Sequence, residues 1–365
     1  MKITAVETDL LRVPLPRPVA LPASQDPRPA THADFVIVRL LTDSSHVGLG
    51  MTYSLSGDGA ALCSLITSRF ADIVTGEDPL RIEWLFAKAS AELADVGFSG
   101  LVSRAYAAVD FALWDLKGKV AGLPVHSLLG GYRTKLKAIL ADTATPAVGV
   151  KQAVKDTKKL LDAGAAGLQI EVGTQDPDMD VERMRQLKDA LPEGPWIEVS
   201  AAGRYDFSSA LWMGRVFEEE FGIDSYLDPL RPHDLVNLER LTQRLELSLG
   251  VGAYVDRVED FQTLLGVAGI SALRIDPVRL GGLTPARKVA IAAELKNVAI
   301  TPVRLPEIGV HLACGVVWGR VCEYVDWFSD LFTGGPRFDG GQLVAPETPG
   351  LGIALNQTIA AKHRV

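Results

Sequence analysis

The chain is poor in the features that mark several common classes of protein. Its 365 residues include only three cysteines, and their spacing is unlike that of a zinc site or a disulfide framework. This favours a reduced, cytoplasmic compartment and argues against structural zinc. No apolar run reaches the length of a membrane span, and the alternating start "MKITAVETDLLRVPL" lacks the apolar core of a signal peptide. We therefore expect neither a membrane span nor a signal peptide.

The charge balance excludes a second group of functions. Asp and Glu number 45 against 37 Lys and Arg, which gives a net charge of −8, and no basic run stands out. Nucleic acids and anionic membrane surfaces attract basic proteins, so neither is an expected partner. The composition is otherwise globular, with 47% hydrophobic and 22% charged residues in a chain long enough to bury a sizeable core.

The first third of the chain predicts an α+β unit. The stretches "KITAVETDLLRVPL" and "ADFVIVRLLTD" have the apolar patterning of antiparallel strands. The proline-rich residues 16–32 between them predict a long loop, of the kind that often serves as a lid. The helical spacing of "SRAYAAVDFALWDLKGKVAG" then ends at a Gly-Leu-Pro sequence, which stops a helix. We place this unit at residues 1–125.

From about residue 136 the pattern changes to short apolar strands that alternate with helix-like stretches. The strand-like stretches are "LKAILAD", "GLQIEVG", "PWIEVSA", "DSYLDPL", "LSLGVGAYV", "SALRIDPV" and "VAITPV". Alternation repeated this often predicts a parallel sheet and favours a (β/α) barrel over an open sheet. We place the barrel at residues 126–330. Residues 331–365, which contain "GLGIALN", are expected to pack back on the first unit.

Four motifs occur in a recognisable order along the chain. They are "AVDFALWDLKGKVAGLPVHSLLGG" (108–131), "RIDPVRLGGLTPARKVA" (274–290), "TPVRLPEIGVHLACG" (301–315) and "PGLGIALN" (349–356). Together they resemble the enolase superfamily, nearest its mandelate racemase/muconate lactonizing enzyme branch, over essentially the whole chain. The resemblance implies an α/β fold with an N-terminal α+β capping domain and a modified (β/α)7β TIM-type barrel. It also implies an isomerase or lyase (racemase, cycloisomerase or dehydratase type) that abstracts a proton next to a carboxylate, with magnesium stabilising the enediolate.

The positions of the family's metal ligands do not carry acids in this chain. The resemblance implies an acidic ligand at the ends of the third, fourth and fifth barrel strands. The corresponding residues here are Ser200, Leu227 and Ala253. The usual base positions also differ, because the second strand ends in Gln169-Ile170-Glu171 and the seventh has Val303. We therefore expect no cofactor, although the family norm is magnesium. Asp228 is not expected to substitute, because a slip by one residue would turn its side chain out of the barrel.

Several polar residues are nevertheless assigned to the barrel interior, because alternate residues of a strand face the same side. They are Gln169, Glu171, Glu198, Ser200, Arg274, Asp276, Thr301 and Glu323. One interpretation is a structural salt-bridge cluster in which Arg274 pairs with Glu198, since an isolated buried carboxylate is costly. The other makes Glu171 or Asp276 a general base, with Glu323 as a further catalytic candidate in a family-like position.

Arginines recur just after the predicted barrel strands, on loops that ring the active-site face of such a barrel. They are Arg204, Arg231, Arg257, Arg279 and Arg304. Arginine pairs well with carboxylate or phosphate, so one interpretation is an anionic small-molecule ligand, and the other is an ordinary charged surface. The predicted substrate-binding residues are Gln169, Ser200, Tyr254, Arg274 and Arg304.

One further stretch and two histidines are also candidate parts of a site. The stretch "SLSGDGA" (54–60) resembles a specificity loop of the capping domain, or it forms only a turn. His233 is expected to cap the helix after the fourth strand rather than to help catalysis. His311 is expected to be structural.

Three functions stay open at this point. The first is a metal-independent isomerase or lyase acting on a small organic acid. The second is a non-catalytic ligand-binding or structural protein, which predicts that every inward charge is paired. The third is a conventional magnesium-dependent racemase or dehydratase whose ligands are displaced. A homo-oligomer is expected from the resemblance alone.

Overall fold

Three antiparallel strands form the sheet of the N-terminal part. They are β1 (Ile3–Val19), β2 (Ala30–Thr42) and β3 (Val47–Ser54), paired in that order. The computed structural model describes residues 1–21, 29–223 and 225–365, so residues 22–28 of the predicted lid lie outside the described residues. The residues on either side of 22–28 do not form the predicted loop. Residues 16–19 continue β1, residues 30–32 belong to β2, and Val19 lies opposite Ala30.

Helices cover one face of this sheet. They are α1 (Gly59–Leu65), α2 (Ala71–Val74), α3 (Ile82–Glu92), α4 (Leu101–Ala121) and α5 (Val125–Leu128), with a π-helical turn at Ile66–Phe70. Helix α4 is apolar on nearly all sides, which is the pattern of a buried helix. It packs so closely on β3 that a Cβ added to Gly50 would lie 1.9 Å from the carbonyl oxygen of Ala108.

Helix α4 also contacts the second part of the chain through a buried carboxylate. Asp110 accepts hydrogen bonds from the backbone N–H of Thr284 at 3.0 Å and from its hydroxyl at 2.5 Å. These contacts satisfy donors at the start of the helix that begins at Leu283, so Asp110 joins the two parts by capping a helix across their interface.

Eight parallel strands form the barrel. They are β4 (Lys135–Ala144), β5 (Gly167–Glu171), β6 (Trp196–Ser200), β7 (Ser225–Leu227), β8 (Ser248–Val251), β9 (Ile270–Ile275), β10 (Ala299–Pro302) and β11 (Val321–Tyr324). The helices between them are α6 (Val150–Asp162), α7 (Pro177–Ala190), α8 (Phe207–Val216), α9 (Leu235–Thr242), α10 (Val258–Leu264), α11 (Pro277–Leu280), α12 (Leu283–Leu295) and α13 (Pro306–Gly315). Strand β11 pairs with β4, and a parallel bridge joins Ile300 to Gly319, which closes the ring. The predicted (β/α)7β barrel is therefore confirmed.

The last residues contact both parts. They contain β12 (Phe332–Gly334), β13 (Arg337–Asp339), β14 (Gln342–Val344), β15 (Ile353–Leu355) and α14 (Gln357–His363). The β13–β14 hairpin pairs with the outer edge of β4, whereas Arg364 bridges to Leu11 of β1. The domain boundaries, at residues 1–125, 126–330 and 331–365, stay predictions. Within the described ranges, every helix is too short or too polar to cross a membrane.

Candidate active site at the barrel mouth

A cavity of about 630 Å³ lies where the carboxyl ends of the barrel strands meet the N-terminal part. Tyr53, Asp58 and Arg104 line it from the N-terminal side. The barrel loops contribute Arg231, His233, Tyr254, Arg279 and Arg304. The carboxyl-end face is where barrel enzymes place their catalytic groups, and a volume of this size holds a small molecule.

The cavity is rich in positive charge. Four of its lining residues are arginines, and Asp58 is the one acid among the described lining residues. Asp58 accepts a hydrogen bond from the Ser54 hydroxyl at 2.8 Å, so its carboxylate is partly satisfied within its own loop. The excess of guanidinium over carboxylate suits a ligand with more than one negative charge.

Sequence reasoning found three of these arginines and missed the fourth. Arg231, Arg279 and Arg304 line the cavity as expected of the post-strand arginines. Arg257 instead lies on the exposed surface, 3.7 Å from Glu259. Arg104 was missed because it lies on α4, far from any barrel strand in sequence. The available signal was that Arg104 is the one charged residue of the largely apolar stretch 101–109.

Left-handed backbone conformations concentrate at this mouth. Among the described non-glycine residues, positive φ occurs at Asp142 (68°), Ala202 (51°), Asp228 (42°) and Arg304 (78°), each within the last three residues of a barrel strand or just past it, and at Asn297 elsewhere. Such conformations are costly for residues with a Cβ and gather at functional sites. Their position supports the barrel mouth as the functional site.

Arg304 and Tyr254 form the floor of the cavity. The Arg304 Nη2 donates a hydrogen bond to the Tyr254 hydroxyl at 3.0 Å. Both residues also line a second, much smaller space of about 10 Å³ below the cavity. Burial raises the pKa of Tyr254, although the nearby Arg304 charge opposes this, so the phenol stays protonated and can donate to a ligand.

Polar side chains from four barrel strands surround the lower space. They include Asp142, Gln169, Glu171, Arg274 and Glu323, with Trp327 beside them. A space of this volume is at the lower limit for one water molecule. The lower space therefore holds titratable groups next to the cavity floor but leaves no room for an organic ligand.

Arg274 is the centre of an ion cluster in the barrel interior. Its Nη1 lies 2.5 Å from Asp228 Oδ2 and 3.5 Å from Ser200 Oγ. Its Nη2 donates to Gln169 Oε1 at 2.6 Å and to Glu323 Oε2 at 2.5 Å. Burial alone would lower the pKa of Arg274, but the two carboxylates raise it above its ordinary value. The predicted residues Gln169, Ser200 and Arg274 are thus brought together, deeper than Tyr254 and Arg304.

Two expectations about this cluster are wrong. Arg274 makes its close contacts with Asp228 and Glu323 rather than with Glu198, and burial raises the pKa of Glu198 to about 7. Asp228 faces the interior, where its Oδ1 also accepts the N–H of Gly252 at 2.8 Å. The alternation argument failed because Asp228 has a φ of 42°, which turns its side chain back into the barrel.

The three predicted catalytic carboxylates each have a cationic neighbour. Glu171 Oε1 lies 2.8 Å from Arg204 Nη2. Glu323 pairs with Arg274 and also accepts the backbone N–H of Arg304 at 3.1 Å. Asp276 caps α11 and lies 3.6 Å from Arg279. Glu171 and Glu323 line the lower space, whereas Asp276 lines neither space.

Sequence reasoning missed one acid of the lower space. Asp142 lies near the end of β4, and its Oδ2 accepts a hydrogen bond from Trp327 Nε1 at 2.6 Å. Burial raises the pKa of Asp142 to about 8, although the Trp327 hydrogen bond and the Arg17 charge oppose this. The available signal was an aspartate at the end of the first predicted barrel strand, "LKAILAD".

The two singled-out histidines have different surroundings. His233 is exposed at the cavity, and the residue at the cap of α9 is Asp234, so the expected capping role is wrong. His311 accepts the N–H of His126 at 3.2 Å, and its Nε2 lies 3.0 Å from the carbonyl of Leu351. Burial lowers the pKa of His311 to about 4, which fits a structural role.

The fold and the position of the site define a capped-barrel protein with a ligand cavity at the barrel mouth. Residues 7–130 match the mandelate racemase/muconate lactonizing enzyme N-terminal domain, and residues 152–359 match the enolase C-terminal domain-like family. The chain belongs to the enolase superfamily, in its mandelate racemase/muconate lactonizing enzyme branch.

Known relatives span nearly the whole chain. An L-talarate/galactarate dehydratase from Salmonella typhimurium is 25% identical over 98% of this chain and 89% of its own length. A solved racemase from Streptomyces coelicolor with bound magnesium has a TM-score of 0.91 at 25% identity, covering all of both chains. L-Talarate dehydratase from Polaromonas sp. JS666, solved with Mg and L-glucarate, has a TM-score of 0.91 at 27% identity, covering 100% of this chain and 97% of that one.

The expectation that the protein takes no cofactor is wrong, because similar proteins have been solved with bound magnesium. The residues present in this chain still do not fit the ligand arrangement that the resemblance implies. Across residues 1–21, 29–223 and 225–365, no group of three or more His, Cys, Asp or Glu side chains is placed to hold a metal ion. The carboxylates of Asp228 and Glu323 are already paired with Arg274.

Proposed function

We propose that this protein is a lyase or isomerase that acts on a small organic acid with at least two anionic groups. The observation that carries the proposal is the cavity of about 630 Å³ with four arginines and one described acid among its lining residues. A dianion would gain charge-assisted hydrogen bonds there that a neutral or singly charged molecule of equal size would not. The relatives named for L-talarate and galactarate act on acids of this kind.

Arg304 is the proposed anchor for the carboxylate next to the reacting carbon. Its guanidinium lies on the cavity floor, and no acid within the described part of the chain forms an ion pair with it. Arg279 also lines the cavity, so both can complement the negative charge that develops when a proton leaves the adjacent carbon. The Tyr254 hydroxyl then orients the substrate by donating a hydrogen bond.

Glu171 is the proposed acid/base group among the three candidate carboxylates. It lines the lower space rather than the cavity, with Arg204 Nη2 at 2.8 Å, so it would exchange a proton with the substrate through the Tyr254 hydroxyl, which lines both spaces. Glu323 instead fixes the backbone of Arg304, and Asp276 fixes the start of α11, so we assign positioning roles to both. Gln169, Ser200 and Arg274 support this floor from below rather than contacting the ligand.

A non-catalytic binding protein is the second candidate. The observation that favours it is that each of the three candidate carboxylates already has a cationic partner. Such a protein would bind the same dianion without turning it over. A test must therefore measure binding and turnover separately.

The test compares galactarate and L-talarate with galactonate, a monoacid of equal length, all with magnesium present. Calorimetry measures binding, and proton NMR in D2O measures turnover or exchange of the hydrogen next to a carboxylate. We expect the diacids to bind at least tenfold more tightly than galactonate. Arg304→Gln should weaken diacid binding by roughly 10- to 100-fold, because it removes charge-assisted hydrogen bonds.

Arg257→Gln is the matched control, since Arg257 also follows a barrel strand but lies outside the cavity. Equal affinity for diacid and monoacid, or equal effects of the two arginine substitutions, would contradict the proposed ligand class. Tight binding without turnover or exchange would favour the non-catalytic candidate.

A further inference from the structure

Asp142 stands apart from the other acids of the barrel mouth. Its side chain is 7% exposed, and its carboxylate accepts the Trp327 N–H at 2.6 Å. No arginine or lysine of the described residues lies within 4 Å of that carboxylate, unlike those of Glu171, Asp228, Asp276 and Glu323. Its backbone has a φ of 68°, a strained conformation that the surrounding structure must maintain.

The charged groups around Asp142 come from four other parts of the fold. Arg17 at the end of β1 donates to the Asp142 carbonyl oxygen at 3.3 Å, but its guanidinium is paired with Asp326. Glu171 of β5 and Arg304 after β10 line the lower space together with Asp142. The nearest full charges therefore oppose one another, and burial decides the protonation of Asp142. Its pKa of about 8 leaves the carboxyl neutral at neutral pH.

The lower space connects Asp142 to the ligand cavity through two residues. Arg304 and Tyr254 line both spaces and are joined by a hydrogen bond of 3.0 Å. Asp142 is thus one layer below the cavity floor, in a setting of low polarity where charge interactions are strong. An anion that engages Arg304 from above withdraws part of the positive charge that Asp142 experiences.

We propose that Asp142 is a proton store for this site, a carboxyl group that takes up or releases its proton as the charge in the cavity changes. The inference rests on the proposed function for the nature of the ligand. The step is a proton transfer alone: near pH 8, where the carboxyl is partly ionised, an O–H bond of Asp142 forms when an anion enters and breaks when the anion leaves, and solvent supplies and receives the proton. Asp142 acts through Arg304 and Tyr254 and is therefore a positioning residue.

Thermodynamic linkage fixes the sign of the coupling between anion binding and the protonation of Asp142. Anion binding favours protonated Asp142, so its pKa must rise when the cavity is occupied. By reciprocity, protonated Asp142 must favour anion binding, so affinity falls as pH rises through about 8. The affinity for the anion cannot fall by more than tenfold per pH unit, because a single group exchanges a single proton.

The first experiment uses malonate as a probe dianion and Trp327 as the reporter. The fluorescence of wild-type protein minus that of Trp327→Phe is followed from pH 6 to 10, with sodium malonate or with sodium chloride at equal ionic strength. We expect a midpoint near pH 8 in chloride and an upward shift of about 0.5 pH units or more in malonate. Asp142→Asn should abolish the transition, and Arg304→Gln should abolish the shift.

The second experiment needs no substitution at Asp142. Calorimetry of malonate binding at pH 8 in two buffers of different ionisation enthalpy counts the protons taken up. We expect a net uptake of a fraction of a proton by the wild type and the same uptake by His233→Gln, which removes the histidine that lines the cavity. Release of protons, or no exchange, would overturn the proposal even if the Asn variant fails to fold.

The two proposals fail in different ways. A malonate-dependent shift without turnover of any diacid keeps Asp142 as a proton store and removes the proposed catalysis. Diacid turnover with a midpoint that malonate leaves unchanged overturns the role of Asp142 and leaves the proposed function standing.

Discussion

At the scale of single residues, the guanidinium of Arg274 holds together the polar groups of the barrel interior. It contacts Asp228, Glu323, Gln169 and Ser200 at once, and it is 4% exposed. Buried ion pairs of this kind contribute little net stability relative to apolar residues, but removal of one partner leaves costly unpaired charges. Removal of any one charged side chain of the cluster is therefore expected to destabilise the protein.

Arg274→Met keeps most of the side-chain volume and removes the charge. We expect the free energy of unfolding at pH 8 to fall by about 3–5 kcal/mol, because two buried carboxylates lose their cation. The loss should be smaller at pH 5, where protonation can neutralise the orphaned carboxylates. Urea unfolding at both pH values measures this, and Arg257→Met is the exposed control, with an expected change within about 0.5 kcal/mol. Equal stability of the two variants at pH 8 would contradict the assigned role.

At the scale of elements, the order of strands and helices was predictable, because the apolar periodicity of each stretch matches its structure. The alternation rule also placed Glu171, Arg274 and Glu323 in the barrel interior correctly. It failed at Asp228, because the left-handed backbone at a non-glycine residue leaves no distinct sequence signal. Arg104 and Asp142 were missed because their roles depend on tertiary contacts between elements far apart in sequence.

The contact between β3 and α4 gives an element-scale prediction. Gly50→Ala would place a Cβ 1.9 Å from the carbonyl oxygen of Ala108, and two backbone segments would have to separate. We expect a loss of roughly 3 kcal/mol in the free energy of unfolding, measured by urea titration. Gly149→Ala, where no heavy atom lies within 4 Å of the new Cβ, should cost at most about 1 kcal/mol. A Gly50 variant as stable as the Gly149 variant would show that the helix does not pack this tightly on the sheet.

At the scale of the whole molecule, several buried carboxyl groups couple the free energy of unfolding to pH. Burial raises the pKa of Asp110, Glu198 and Glu307 to about 7 and that of Asp142 to about 8. A raised pKa means that the folded state binds the proton more tightly than the unfolded chain does. The stability from these groups is full below about pH 4 and is lost as pH rises to about 8.

Glu307→Gln tests this coupling, since Glu307 is 4% exposed and its Oε2 has no hydrogen-bond partner among the described residues. The variant should match the wild type at pH 4.5 and exceed it at pH 8 by an amount on the order of 1–3 kcal/mol, because an amide need not ionise. Urea unfolding at pH 4.5, 6 and 8 provides the measurement. Glu259→Gln, at an exposed carboxylate, should show no such trend. A pH-independent difference for Glu307→Gln would contradict the assignment.

The position of Arg104 on α4 has a consequence for how this protein could acquire new ligands. The helix that carries Arg104 into the cavity also carries Asp110 against Thr284 and packs without clearance on Gly50. Substitutions on that helix that alter ligand binding are therefore expected to lower the stability of the fold as well. The loop around Asp58 lines the same cavity but does not make these contacts between the two parts of the chain. A directed-evolution library aimed at new acids should diversify residues 54–58 and leave α4 untouched.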